Sequence, residues 1–594
     1  MKQFFLTMLG VFAGLFMFMI VLPVVLIMVA VASAGSKPAT PAQTVVQLDL
    51  RGGLSDQPST NPFAGFGGSN LSVVEVVDGL AQAERDRNVK ALVVRLPEAG
   101  MTPAAADEVR QAIHRFRAAG KRVIAHSQGF MPVGAVVSSY MVGASADELW
   151  MQPVASFQAS GFSTDEIFLG RAFERYGVNA QFEQRYEYKN AVNQFSQNDF
   201  TPAHRESMLA WMTSIYDNAL ANAARDREID PAVMKRVIEA GPYTAEQALE
   251  VRLIDKVGQV EAALGEAKRL AGSNAEILDF RRYASSKGLR TGSGTDAIAI
   301  VSAEGAIVTG ASSGSDPFGS GSTIRSDDTA KAIYDAIEDD AVKAIVFRVS
   351  SPGGSPEASE QILAAVRAAK AAGKPVVVSM GAYAASGGYW ISSEASSIVA
   401  QPSTLTGSIG VYGGKFVLAD ALGRFGVDMR GLSIGGDYAD ALSPSQPFDQ
   451  GQRAAFAASM DHIYDAFLVR VAQGRRLEPA QVQEIARGRV WTGAQARELG
   501  LVDELGGLTE AIAVARRLAE IPEDASVRFK RFPAAKSPWE ALSDAFGVQA
   551  EAAQALVRIG AVVGSPEAQS VIQRVQTERL RGQGGLVLAD QPLR

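Results

Sequence analysis

Three glycine-rich stretches in the second half of this chain put hydroxyl groups where a nucleophile could be exposed. They are RVSSPGGSPEASE (348–360), SMGAYAASGGYW (379–390) and STLTGSIGVYGG (403–414). The first runs from a strand end through Pro-Gly-Gly into a helical pattern. Gly353 and Gly354 there permit close backbone approach and leave N–H groups available, as an oxyanion site requires. In the second, Ser386 follows a strand at the point where a helix can begin, and Gly387 leaves room for an acyl group. The third places Ser408 in another turn after a short strand. Each stretch alone is an ordinary strand-to-helix turn. Three of them on consecutive crossovers of one sheet point to a site at its edge.

A serine hydroxyl needs a base. The chain has four His and no Cys, which excludes thiolate catalysis, disulfides and Cys-based metal sites. None of the histidines is suited. His114 and His462 fall in helical patterns, His204 follows a Pro in a charged stretch, and His126 lies in the half without the serine motif. A lysine can serve if its amine is neutral, and burial favours that form because the ammonium loses its hydration. Lys189, in QRYEYKNAVNQF, has Tyr186, Tyr188, Ala191, Val192 and Phe195 nearby to exclude water. Glu183 and Glu187 are also close, the setting of an ordinary surface lysine. The residues alone also leave open whether Lys189 reaches a serine within its own chain or from a neighbour.

The elements that must position these groups occur twice. ALVVRL (91–96) and AAGKRVIAHSQG (118–129) return as AIVFRV (344–349) and AAGKPVVVSMGA (371–382), at an offset of 253. RYGV at 175 returns at 424 as RFGV, and YTAEQALEVRLIDKVG as WTGAQARELGLVDELG, at offsets of 249 and 248. About four extra residues therefore sit in the first copy between Gln128 and Tyr140. The copies span 43–290 and 296–535, with a linker-like joint at Ser285–Gly294 and an unassigned tail at 536–594. In each, short apolar runs rich in β-branched residues alternate with amphipathic helices, which predicts βαβ units on a parallel sheet. One such helix is expected at Pro356–Ala372, with Ile362, Ala365, Val366 and Ala369 on one face, and a longer one at Gln452–Gln473. Aligning the copies sets Ser386 opposite Val137, Gly387 opposite Ser138, and Pro-Gly-Gly opposite Glu98-Ala99-Gly100. Lys189 falls opposite Tyr438. One copy keeps a hydroxyl and the other an amine, as a duplicated enzyme with one composite site would.

The 594 residues are 47% hydrophobic and 20% charged, which is globular, and the net charge of −7 argues against a nucleic-acid binder. Phe4–Ala34 carries no charge and exceeds the roughly 20 apolar residues that span a bilayer. It predicts a retained anchor at 8–32 after a cytoplasmic stretch at 1–7, although Ala32-Ser33-Ala34 has the small-x-small form of a cleavage site. Gly310-Ala311-Ser312-Ser313-Gly314 matches G-x-S-x-G formally, but further Gly and Ser follow where a helix is required, so it reads as a loop. No metal cluster or nucleotide fingerprint stands out, and no cofactor is expected.

SPGGS, AASGGYWIS, STLTGSIG and the YKNAV segment together resemble the signal peptide peptidase A family, in its long, duplicated, membrane-anchored bacterial form. The resemblance covers the chain to about residue 535. It implies an α/β fold of two tandem domains like those of Clp protease and crotonase. It also implies a Ser–Lys dyad with Ser386 as nucleophile and Lys189 as general base. Ser408 would orient the amine, and the N–H groups of Gly354 and Gly387 would form the oxyanion hole. It further implies a homotetramer on the periplasmic face of the inner membrane that degrades cleaved signal peptides and similar apolar segments. The chain departs from the family's usual pattern at Ser350, where Asn is usual, and at Ala382, where Asp is frequent. Two other readings suit the same glycine-rich loops: a crotonase-like acyl-CoA enzyme and a non-enzymatic membrane scaffold.

Overall fold

A computed structural model describes residues 40–58, 70–312, 323–522 and 524–534, with six isolated positions before residue 18. The expected anchor at 8–32, those positions aside, and the tail at 536–594 lie outside the described residues. Among the described residues, no helix is long and apolar enough to cross a membrane.

The repeat in sequence is a repeat in topology. Val89–Leu96 and Val342–Ser351 are buried at all but one position each, because helices cover both faces of their sheets. That is why they read as continuous apolar runs rather than as alternation. The first sheet is ordered Lys256–Val257, Glu148–Met151, Arg122–Ser127, Val89–Leu96, Thr44–Asp49, Glu276–Asp279, all parallel. The second has eight strands: along its main path Val490–Thr492, Leu405–Gly407, Val376–Ala385, Val342–Ser351, Ala297–Glu304 and Arg528–Phe532, with Ser397–Ala400 also pairing Val376–Ala385 and carrying Glu504–Leu505, and only Val490–Thr492 runs antiparallel. The Pro356–Ala371 helix starts with Pro at its first turn, and the Ser355 hydroxyl accepts from the Ala358 N–H at 3.1 Å. Ile362, Ala365, Val366 and Ala369 are fully buried against the sheet, as their spacing predicts. The second expected helix runs Gln450–Arg475, and Pro202–Asp226 is its counterpart in the first copy.

The copies diverge at the sheet edge. Val376–Ala385 continues for ten residues and ends at Ser386, whereas Arg122–Ser127 stops after six. The extra residues of the first copy loop out before the Val136–Ala144 helix. Phe130, Tyr140 and Phe157 close this region with edge-on ring contacts at 5.0–5.8 Å. The joint at Ser285–Gly294 is anchored rather than linker-like. The Arg290 N–H donates to Asp78 at 2.6 Å, and the Thr291 carbonyl accepts from Phe529 at 2.8 Å.

Two devices lock the copies together. Asn179–Gln184 of the first pairs antiparallel with Tyr412–Val417 of the second. Arg348, 1% exposed on the strand that leads to the Pro-Gly-Gly turn, is held by Asp56 and Glu108 of the first copy at 2.5 and 2.8 Å. Breaking such a buried pair costs about 3–5 kcal/mol, because the remaining charge has no solvent.

Candidate active site

Ser386 ends its strand in a backbone conformation unusual for a side-chain-bearing residue (φ 54°, ψ −120°). Such a conformation costs about 1–3 kcal/mol and persists only where neighbours impose it. Here the Ser386 N–H donates to the Gly407 carbonyl, and the Ser386 carbonyl accepts from Tyr389 and Trp390, each at 2.9 Å. The turn lifts the hydroxyl out of the sheet edge beside the Pro-Gly-Gly loop.

That loop is clamped from behind. Ile307, in the short strand Ala306–Val308, donates to the Gly353 carbonyl and accepts from the Ser355 N–H, both at 2.9 Å. The Ser351 hydroxyl bridges it further, accepting from Gly353 at 3.1 Å and donating to Gly305 at 2.7 Å. A Cβ on Gly353 (φ 108°) would lie 2.7 Å from both Gly387 N and Ser386 Cβ, so only glycine allows this approach. Among the described residues, neither the Gly354 nor the Gly387 N–H donates to a protein acceptor. Two free donors thus flank the serine.

Lys189 arrives from the first copy, carried by the strand pairing of Asn179–Gln184 with Tyr412–Val417. Its Nζ lies 3.1 Å from Ser386 Oγ, 2.9 Å from Ser408 Oγ and 2.9 Å from the Ser408 carbonyl. The contact is made within one chain. A neutral amine has two N–H bonds and one lone pair. With both N–H groups donating to Ser408, the lone pair is left facing the Ser386 hydroxyl. Lys189 is 4% exposed, and loss of hydration lowers its pKa to about 7. The neighbouring carboxylates, which would have favoured the ammonium, face elsewhere: Glu187 pairs with Arg487 at 2.5 Å and Glu183 with Arg453 at 2.9 Å. Ser408, itself at φ 49°, donates its N–H to the Arg489 carbonyl at 2.7 Å.

All five residues singled out from sequence therefore meet at one edge of the second sheet. The first copy has no equivalent. Val137 is fully buried, and the Gly100 and Met131 N–H groups are used by Val133 and Glu98 at 2.9 and 2.8 Å. Tyr438, opposite Lys189 in the repeat, is 45% exposed. Three of the four histidines are engaged elsewhere: His114 with Asp226 at 3.0 Å, His204 with Glu166 at 3.1 Å and His126 with the Gly258 carbonyl at 3.1 Å. Ser312 of the G-x-S-x-G match is tied to Asp328. Sequence reasoning missed the Ile307 clamp and the Arg487–Arg489 turn that supports Ser408. The only signal of the latter was a Gly between two Arg just ahead of a repeated motif.

A profile of peptidase family S49 matches the chain twice, at residues 115–274 and 368–522, once in each copy. Protease 4 of Salmonella typhi is 34% identical over 82% of this chain and 80% of its own length. The chloroplastic serine protease SPPA of Arabidopsis thaliana is 29% identical over 81% of this chain and 70% of its own length. Among solved structures, a ClpP1 mutant from Listeria monocytogenes matches 36% of this chain and 94% of its own, at 15% identity and a TM-score of 0.22.

Proposed function

Because the chain belongs to peptidase family S49, we propose that it is a serine endopeptidase in which Ser386 is the nucleophile and Lys189 its general base. The observation that carries this reading is the approach of a water-shielded Lys189 Nζ to 3.1 Å from Ser386 Oγ. In the forward step, Nζ takes the hydroxyl proton as Oγ attacks the scissile carbonyl carbon. The negative charge that develops on the carbonyl oxygen is met by the Gly354 and Gly387 N–H groups, donors worth about 3–4 kcal/mol each in comparable sites. The ammonium then protonates the leaving amine. The regenerated amine deprotonates water, which releases the acyl group from Ser386. Ser408 holds the nitrogen through both transfers.

The reading extends to substrate and setting. Cleaved signal peptides and similar apolar segments are the proposed substrates. The uncharged run Phe4–Ala34 supports a single-pass anchor beside a bilayer, with the catalytic part on the periplasmic side. A homotetramer is supported by two segments that stay unpaired while their repeat counterparts pair as strands. The repeat counterparts of Asn179–Gln184 and Tyr412–Val417 are residues 428–433 and 163–168, and neither is in a sheet among the described residues. They expose Leu432 fully and Ile167 at 74%. Pairing the 428–433 segment of one copy with the 163–168 segment of the next would repeat, between chains, the contact made within each.

The test is hydrolysis of a quenched fluorescent apolar peptide by the purified full-length protein and by Ser386→Ala and Lys189→Ala. Each substitution is expected to remove turnover, by about 10²–10⁴-fold for the base, with cooperative unfolding retained. Turnover retained in either variant removes that residue from the mechanism.

A further inference from the structure

We propose that Gly488 is a positioning residue for Lys189, and that the Arg487–Arg489 turn is the wall that sets where the nitrogen sits. This rests on the reading of Lys189 as the base. Gly488 adopts φ 80°, and its N–H donates to the Ile409 carbonyl at 2.8 Å, next to Ser408. A Cβ on Gly488 would lie 2.6 Å from Lys189 Cβ and N and 2.7 Å from its Cα. On the other side, a Cβ on Gly410 would lie 2.7 Å from Gly488 Cα and 3.2 Å from Lys189 Cδ. The lysine stem is therefore pressed against the bare backbone of two glycines. The next residue in the turn, Arg489, accepts the Ser408 N–H, and Ser408 in turn holds Nζ. One turn thus fixes the stem of the base and the group that orients its head.

The repeat supplies an internal control. The first-copy counterpart of Gly488 is Ala240, at φ −80°, closing the Pro231–Glu239 helix. The glycine and its left-handed backbone occur only in the copy that packs against Lys189. Arg489 adds stiffness: its guanidinium lies 4.9 Å from the Tyr188 ring centroid and 4.3 Å from that of Trp491, and it pairs with Glu206 at 2.6 Å.

The charged groups around the lysine are paired among themselves. From its own segment, Glu187 meets Arg487, and Arg185 meets Asp461 of the Gln450–Arg475 helix and Glu183. From the same helix, the Tyr464 hydroxyl accepts the Arg487 N–H. The Ile409–Val411 stretch carries no charge. Displacing the stem admits water without releasing a carboxylate, so the ammonium becomes easier to form.

The experiment is the pH dependence of kcat/KM for wild type, Gly488→Ala and Gly410→Ala in the full-length protein, from pH 5.5 to 10. The acid limb is expected to move up by about one unit in each variant, giving about a fivefold loss at pH 7 that approaches tenfold by pH 6 and recovers by pH 9. The loss should appear in kcat with KM little changed. A uniform drop with the limb unmoved overturns the proposal. Gly410→Ala, whose backbone is unstrained, decides it if Gly488→Ala does not fold. Lys189→Ala is measured alongside. If that variant retains turnover, the dyad reading itself falls. If it is inactive while both glycine variants keep the wild-type limb, only the positioning role falls.

Discussion

The neutral amine of Lys189 is favoured because burial strips water from the ammonium, and the oxygens of Ser386 and Ser408 that surround Nζ carry no charge to replace it. Burial is the one cause that lowers its pKa, to about 7 from the usual 10.5. As the proposed base, Lys189 must be unprotonated to act, so kcat/KM is expected to rise through pH 7 and level off above it, a limb absent in any residual activity of Lys189→Ala. Stability carries the same signature with a definite sign. Between about 7 and 10.5 the unfolded chain binds a proton that the folded chain does not, so stability rises with pH across that window. The penalty for burying the lysine grows as pH falls from 10.5 and levels off below 7, reaching at most about 5 kcal/mol. Lys189→Met removes the titrating group. It is expected to be more resistant to urea than wild type at pH 7, with the gain shrinking towards pH 10. A gain independent of pH would mean that the amine is already solvated.

The strands and helices explain why the two copies of one unit differ in what they can do. A strand that runs to Ser386 without interruption delivers the hydroxyl to the sheet edge, while the insertion after Ser127 spends that position on a loop closed by aromatic rings. The Ala306–Val308 strand matters in the same way, because it is the template for the oxyanion loop. A Cβ on Gly354 would lie 2.0 Å from the Ile307 carbonyl oxygen, so Gly354→Ala must push the loop off this strand and turn its N–H away. We expect kcat to fall about 10²–10³-fold, the usual consequence of losing one such donor, with KM changing far less. An unchanged kcat would assign the oxyanion to other groups. The buried strands were legible because their apolar runs are dense, and the Pro356–Ala371 helix because its cap and its apolar face coincide. Asn179–Gln184 was not. NAQFEQ has no apolar run, and its strand form depends on a partner more than 200 positions away. The Gly488 wall was hidden for a related reason, since a glycine against a lysine stem leaves no mark until the two are brought together. The joint at Ser285–Gly294 looked like a linker from its composition, yet its backbone is consumed by Asp78 and the last strand.

At the scale of the molecule, the candidate site belongs to neither copy alone. The copy with the serine takes its proposed base from the other through Asn179–Gln184, and its Arg348 is neutralised by that copy's Asp56 and Glu108. The repeat makes this arrangement directional, first copy to second. It leaves the opposite contact unmade: in the proposed homotetramer, the 428–433 segment would meet the 163–168 segment of a neighbouring chain. Leu432 and Ile167, both exposed, lie on these segments, where a paired strand would cover them. Introducing a charge there by Leu432→Asp, alone or with Ile167→Asp, is expected to convert the proposed homotetramer to single chains in light scattering of the detergent-solubilised protein. Because Lys189 reaches Ser386 within one chain, each released chain should keep its peptide hydrolysis within a few-fold. An assembly mass unaffected by both substitutions would place the contact between chains on another face. Loss of hydrolysis in step with dissociation would mean that neighbouring chains hold the dyad in place.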